Sequence, residues 1–197
     1  MRIPIIETAR LIIRPPKLGD EIELNQRINE SLPELQRWMP WASDPSIGPT
    51  KQYVENGVKN WASDKPLDLP MVIIDKNSKK IIGASGYNDR SDISIPKFEI
   101  GYWIATEFAG LGLITECVEA LTRYAIEELK AVRVQILMDA NNKQSQRVAE
   151  KAGFALEAKL TNFRLDHVTQ KPANELIYVR FNTMKKDSSQ VKWTYAT

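Results

Sequence analysis

The sequence is poor in the residues that staple or metallate a protein: it has one cysteine, Cys117, and one histidine, His167. A single thiol excludes an intrachain disulfide framework. Together the two residues leave too few nitrogen and sulfur ligands for a zinc site, so no metal is expected. No apolar run approaches the roughly 18 residues needed to cross a bilayer, and no membrane partner is expected. Charge of one sign is also scarce. Lys and Arg number 27 against 25 Asp and Glu, a net charge of +2 that implies no strong polyelectrolyte partner. No basic stripe interleaved with aromatic residues marks a nucleic-acid surface. With no signal peptide, internal repeat or low-complexity segment visible, a reducing cytoplasm is the expected compartment.

What is present suits one mixed α/β domain. A chain of 197 residues, 43% of them hydrophobic, can bury a sizeable core. TARLIIRPPKLGD (8–20) reads as a strand stopped by Pro15 and Pro16, turning into a surface helix over 20–30. Residues 31–49, rich in proline and tryptophan, read as irregular. Tyr53, Val54, Val58 and Trp61 have helical spacing within 50–64, opened by Thr50 as N-cap. LPMVIID (69–75) and KKIIGASGYND (79–89) predict a hairpin across the turn KNS, and FEIGYWIA (98–105) a third strand. A helix over 115–129, a strand over 132–140 and a short helix over 142–154 follow, the last capped by Asn142 and ended by Gly153. Two strands, around 158–166 and 174–181, complete the order β-α-α-β-β-β-α-β-α-β-β. Residues 1–183 are expected to form the domain and 184–197 a solvated polar tail, in which only Trp193 could dock.

The stretch EFAGLGLITEC (107–117) places Gly110 and Gly112 between a strand and a helix. A helix start leaves backbone N–H groups unpaired, and glycine lets a ligand approach them, a combination that cradles phosphate. A plain strand-to-helix turn needing positive φ explains the glycines equally well. A P-loop would need Gly-Lys-Ser/Thr, but Leu113 and Ile114 follow Gly112. A Rossmann turn needs a third glycine where Thr115 stands, and the long mixed sheet before the turn argues against an N-terminal dinucleotide unit.

Six strings, TARLIIRP, RWMPW, FEIGYWI, GLGLITEC, N-x-x-S-x-x-V-x-E-K-x-G-F and F-x-L-E, occur in order between about residues 7 and 181. In this order they resemble the GNAT superfamily of acyl-CoA-dependent N-acyltransferases. Within it the likeness is to the Rim branch, which acetylates ribosomal-protein N-termini. The resemblance implies a GNAT fold and acetyl-CoA as co-substrate. The amides of Ala109, Gly110, Leu111, Gly112, Leu113 and Ile114 would hold the pyrophosphate. Ile100, Gly101, Tyr102, Trp103, Ile104 and Ala105 would line the pantetheine arm as an added β-ligand. The superfamily's basic residue within the glycine turn is absent here, where Leu111 stands, so weaker cofactor binding is expected.

Acetyl transfer to an amine needs a neutral nucleophile, an oxyanion donor and a proton for the departing thiolate. An α-amine with a pKa near ~8 is partly neutral at pH 7, and a thiol near ~8.5 is a tolerable leaving group, so acid and base have modest tasks. The resemblance implies Ser145 as the acid, with Asn142 as both cap and pantetheine contact. Ser145 could instead be a helix-start serine, and Tyr102 or Tyr178 could supply a phenol. The oxyanion donor is expected to be a backbone N–H of strand 98–105. For the base, Glu99 is the candidate beside a water, or it is only an exposed strand-end carboxylate. The branch's usual glutamate is replaced by Arg164, Glu157 reads as structural, His167 as a loop residue and Cys117 as core.

RWMPW (37–41) must pack on something, because two tryptophans and a methionine are costly to leave in water. Either it folds onto the core, or, as the resemblance implies, Trp38 and Trp41 wall the acceptor groove. The expected activity is acetyl-CoA-dependent N-acetylation of a primary amine, a protein or peptide N-terminal α-amine, by direct attack on the thioester. A small-molecule amine is the alternative acceptor, and a non-catalytic acyl-CoA sensor the alternative class. A monomer or homodimer is expected.

Overall fold

The computed structural model describes residues 2–92, 94–181 and 191–195. Its strands are β1 (Pro4–Glu7), β2 (Leu11–Arg14), β3 (Leu69–Asp75), β4 (Ile81–Tyr87), β5 (Lys97–Ile104), β6 (Arg133–Asp139), β7 (Ala155–Leu165), β8 (Pro172–Phe181) and β9 (Lys192–Tyr195). The helices are α1 (Asp20–Glu30), α2 (Leu32–Trp38), α3 (Ile47–Trp61), α4 (Leu113–Glu127) and α5 (Lys143–Lys151). The strands form one sheet in the order β7-β8-β6-β5-β4-β3-β2-β1-β9.

β3 shows why the sheet is covered on both faces. Its apolar run does not alternate, and successive residues enter different clusters. Met71 and Ile73 join the core that holds Val118, Leu121 and Ala125 of α4, while Val72 packs with Leu24 of α1 and Val54 of α3. Every strand pair is antiparallel except β5 with β6, which α4 connects as a crossover.

That parallel pair is short. Only Lys97, Phe98 and Glu99 pair with Arg133, Val134 and Gln135. Beyond them β6 continues paired to β8 through Asp139, and β5 continues paired to β4 through Ile104. The two central strands therefore part, and a cleft opens between them.

Three local readings need correction. Residues 31–49 are mostly helical: α2 begins straight after α1, with Pro33 in its first turn, and Pro40–Ser43 form a 3-10 turn. Proline is compatible with a helix start because its missing N–H would be unpaired there anyway. Thr50 lies inside α3, whose N-cap is Ser46, and the Thr50 hydroxyl accepts from the Asn25 side chain. The segment read as a solvated tail contributes β9, which pairs with β1 through Ile6↔Trp193 and its neighbours. Trp193 meets Tyr124 edge-on at 5.8 Å between ring centroids, under the Arg123 guanidinium, which accounts for a strand with few apolar residues. The rest of 184–197 lies outside the described residues. No helix among them is long and apolar enough to cross a membrane.

Candidate active site

The cleft between β5 and β6 has a volume of about 1080 Å³. Its lining joins β5, the glycine turn and the start of α5 to the segment Trp38–Trp41. The cofactor strand and the acceptor wall expected from the sequence thus face one space.

Along β5 the side chains diverge in role. Ile100 is buried in the core, as is Ala105 just past the strand. Gly101 is exposed, and a Cβ built on it would meet nothing within 4 Å. Tyr102, Trp103 and Ile104 are half-buried. The strand's edge toward the cleft has no partner strand beyond Glu99 among the described residues, so its main chain is open to an extended ligand.

The glycine turn follows a 3-10 turn at Thr106–Phe108. Gly110 and Gly112 have φ of +77° and +76°, and Gly112 caps α4 in the left-handed conformation. The positive φ required by the plain-turn reading is therefore present, and so is the open approach required by the phosphate reading: a Cβ on Gly110 would meet nothing within 4 Å. Leu113 and Ile114 bury their side chains, leaving their amides as what they can offer a ligand at the helix start. Leu111 is exposed. These features fit a pyrophosphate, which binds such amides through backbone alone.

Sequence reasoning missed Arg10. Its Nε donates to Glu116 Oε2 at 2.6 Å and its Nη1 to the Leu111 carbonyl at 2.9 Å, tying the β1–β2 turn to the glycine turn. Thr8 Oγ1 and the Arg10 amide donate to the other Glu116 oxygen at 2.5 and 2.9 Å. Burial raises the Glu116 carboxyl, but these hydrogen bonds and the guanidinium outweigh it and hold the group below its ordinary value. The one signal for this contact was the string TARLIIRP, read as a strand and as one of the six strings of the family resemblance, with no role given to Arg10.

Asn142 caps α5 by accepting from the Ser145 amide at 3.0 Å. Ser145 Oγ lies 2.8 Å from the Tyr102 hydroxyl, and either can be the donor. Burial pushes the Tyr102 phenol up to about 12, against the opposing pull of that hydrogen bond. Tyr178, weighed as an alternative acid, is elsewhere: it is buried and donates to Glu150 at 3.0 Å.

Glu99 is not an exposed strand-end carboxylate. It is 2% exposed at the point where β5 and β6 part, and it lines the cleft. It accepts from Asn88 at 2.7 Å, Gln135 at 2.8 Å and Arg90 at 3.2 Å. Arg164 pairs with Asp139 at 2.7 Å and Glu175 at 2.8 Å, cross-strand neighbours at the far end of β6.

Glu157 forms an ion pair with Arg133 outside the cleft. His167 bonds the Gln36 carbonyl at 2.8 Å and joins the β7–β8 turn to α2. Cys117 is fully buried, and burial pushes its thiol up to about 12, which leaves it inert. No group of three or more His, Cys, Asp or Glu among the described residues could hold a metal ion.

Trp38 and Trp41 differ. The Trp38 indole donates to Glu34 at 3.1 Å beneath the Arg37 guanidinium. Trp41 is 45% exposed, with its ring tilted against Trp103 at 6.0 Å between centroids.

The model of the acetyltransferase (GNAT) domain family matches residues 10–155. The chain belongs to the GNAT acetyltransferase family. It is 32% identical over 156 residues to YdaF of Bacillus subtilis (strain 168), which carries the provisional name of a ribosomal N-acetyltransferase; the match covers 77% of this chain and 79% of YdaF. It is 24% identical to the [ribosomal protein uS5]-alanine N-acetyltransferase of Escherichia coli (strain K12), over 83% of this chain and 87% of that one. Among solved structures it matches RimL, a ribosomal L7/L12 α-N-protein acetyltransferase in complex with coenzyme A, with a TM-score of 0.78 and 21% identity. That match covers 88% of this chain and 95% of RimL. The GNAT protein is therefore an acetyl-CoA-dependent N-acetyltransferase.

Proposed function

We propose that this acetyltransferase acts on the α-amine of a protein or peptide N-terminus. The observation that carries this reading is the open groove opposite β5. Exposed Trp41 stands there with Met39 and Pro40, and Gly101 leaves unobstructed space on the strand facing them. Rigid aromatic and proline surface can grip an extended chain end at low entropic cost. The names of the bacterial relatives, which specify ribosomal proteins, point the same way.

In this reading the amides of residues 109–114 hold the pyrophosphate, while the main chain of residues 100–105 and Asn142 hold the pantetheine arm. The bound co-substrate supplies an acetyl group activated as a thioester. Trp38 and Trp41 direct the amine to the point where β5 leaves β6. A β5 amide donates to the carbonyl oxygen as the new N–C bond forms and the C–S bond breaks. Glu99 takes the proton that nitrogen loses, and Ser145 gives sulfur the proton it needs.

A thiol-release screen of acetyl-CoA against N-terminal peptides and small amines tests the proposal. The expected result is steady release with kcat/KM highest for free N-terminal peptides and abolished when their α-amine is blocked. A higher kcat/KM for a small amine would move the acceptor class to small molecules.

A further inference from the structure

The glycine turn has no cation of its own, since Leu111 stands where the resembling family has a basic side chain. The structure brings one from the β1–β2 turn. The Arg10 fork spends two of its nitrogens on the Leu111 carbonyl and on Glu116, at 2.9 and 2.6 Å. Its third, Nη2, has no hydrogen-bond partner among the described residues. It lies 3.6 Å from where a Cβ on Gly112 would stand. The side chain is 48% exposed, but its far end is fixed at two points.

The geometry of the peptide unit gives this contact a consequence. In a planar trans peptide the C=O and the following N–H point in opposite directions. Holding the Leu111 carbonyl toward Arg10 therefore turns the Gly112 N–H away from Arg10. The glycine is free to follow, and its left-handed φ carries the chain straight into α4. The guanidinium also offsets Glu116, which would otherwise place an unpaired carboxylate in the helix turn where an anion is to bind.

We propose that Arg10 is a positioning residue for the cofactor pyrophosphate. Acting through the Leu111–Gly112 peptide, it aims an amide at the anion, and it cancels the Glu116 carboxylate that would otherwise repel that anion. This rests on the pyrophosphate lying at the glycine turn.

The test is calorimetric and needs no turnover. Acetyl-CoA and acetyl-pantetheine, which lacks the pyrophosphate, are titrated into the wild type, Arg10→Gln and Gly112→Asp. Arg10→Gln should weaken acetyl-CoA about 10- to 100-fold, the scale of lost charge-assisted contacts, and leave acetyl-pantetheine unchanged. It should also flatten the salt dependence of acetyl-CoA binding. Unchanged acetyl-CoA affinity, or an equal loss for both ligands, overturns the proposal. If Gly112→Asp alone weakens acetyl-CoA, the pyrophosphate site stands and Arg10's role falls; if neither variant does, the site itself is misplaced. Should Arg10→Gln fail to fold, Arg10→Lys carries the same comparison, because one ammonium cannot reproduce the two-armed fork.

Discussion

The hydroxyl oxygens of Tyr102 and Ser145 lie 2.8 Å apart, joining β5 to the first turn of α5 across the cleft. With its pKa pushed to about 12, the phenol keeps its proton at any ordinary pH. A serine that gives a proton to sulfur can therefore be resupplied by the tyrosine. Ser145→Ala should lower kcat about 10- to 1,000-fold with little change in acetyl-CoA affinity. Tyr102→Phe should lower it less, and the double variant should be no slower than Ser145→Ala, because the two groups act as one unit. Steady-state thiol release on the four proteins measures this. Unchanged kcat in Ser145→Ala would leave the serine as a helix-start residue only.

Gly112→Asp should abolish acetyl-CoA binding and leave the fold intact. Aspartate is one of the few residues that tolerate the left-handed conformation seen at φ +76°, at a cost of about 1–3 kcal/mol. Its carboxylate would stand beside Arg10 Nη2 and oppose an incoming anion. Calorimetry and a thermal melt separate the two effects; wild-type affinity in a folded variant would remove the anion from this turn.

Glu116 links this region to acid stability. A carboxylate whose pKa is lowered by folding contributes stability above its unfolded value, about 4.3, and loses it as pH falls through the lower folded value. The Thr8 and Arg10 contacts lower this one. The melting temperature of the wild type should therefore fall more steeply below about pH 4 than that of Glu116→Gln. Parallel slopes in thermal melts from pH 6 to pH 3 would show that the carboxylate adds nothing by this route.

Much of this architecture was legible because local pattern and tertiary demand agreed. The apolar run of β3, the helical spacing of α4 and the Asn142 cap each have one good solution, and the structure adopts it. α2 was hidden by Pro33 and Pro40, which read as breakers but stand at first-turn positions. β9 was hidden because its stability comes from pairing with β1 and from Tyr124, neither of which leaves a periodic mark in its own four residues. The site followed the same division. The Gly-x-Gly turn and N-x-x-S are local strings, whereas Arg10 on Leu111, Tyr102 on Ser145 and Arg164 on Asp139 and Glu175 join residues that only the fold brings together.

Glu99→Gln should separate charge from hydrogen bonding at the fork of the sheet. The Gln135 amide donates to Glu99 through its nitrogen and accepts from Arg133 through its oxygen, so turning it over to suit a glutamine at 99 would give up the Arg133 bond. The variant should therefore melt somewhat lower than the wild type, and a thermal melt separates that loss from any loss of activity. If Glu99 receives the amine proton, kcat/KM for a peptide acceptor should fall about 100-fold or more at neutral pH and recover in part as pH rises and more amine is already neutral. Undiminished kcat/KM across that range would assign the proton to water.

Trp41 decides where the acceptor lies. A core tryptophan loses about 3–5 kcal/mol of stability on truncation to alanine. Trp41 is 45% exposed, and its ring meets Trp103 tilted and at 6.0 Å, so truncation should remove only a small part of that. Trp38 is half-buried, with its indole bonded to Glu34 and its face under Arg37, both on α2 itself. The two substitutions should therefore diverge. Trp41→Ala should raise the acceptor KM or cut kcat/KM, with acetyl-CoA affinity and melting temperature nearly unchanged. Trp38→Ala should lower the melting temperature as well as the activity. If Trp41→Ala instead melts several degrees lower and its remaining activity keeps the wild-type acceptor KM, Trp41 is a packing residue and the chain end enters elsewhere.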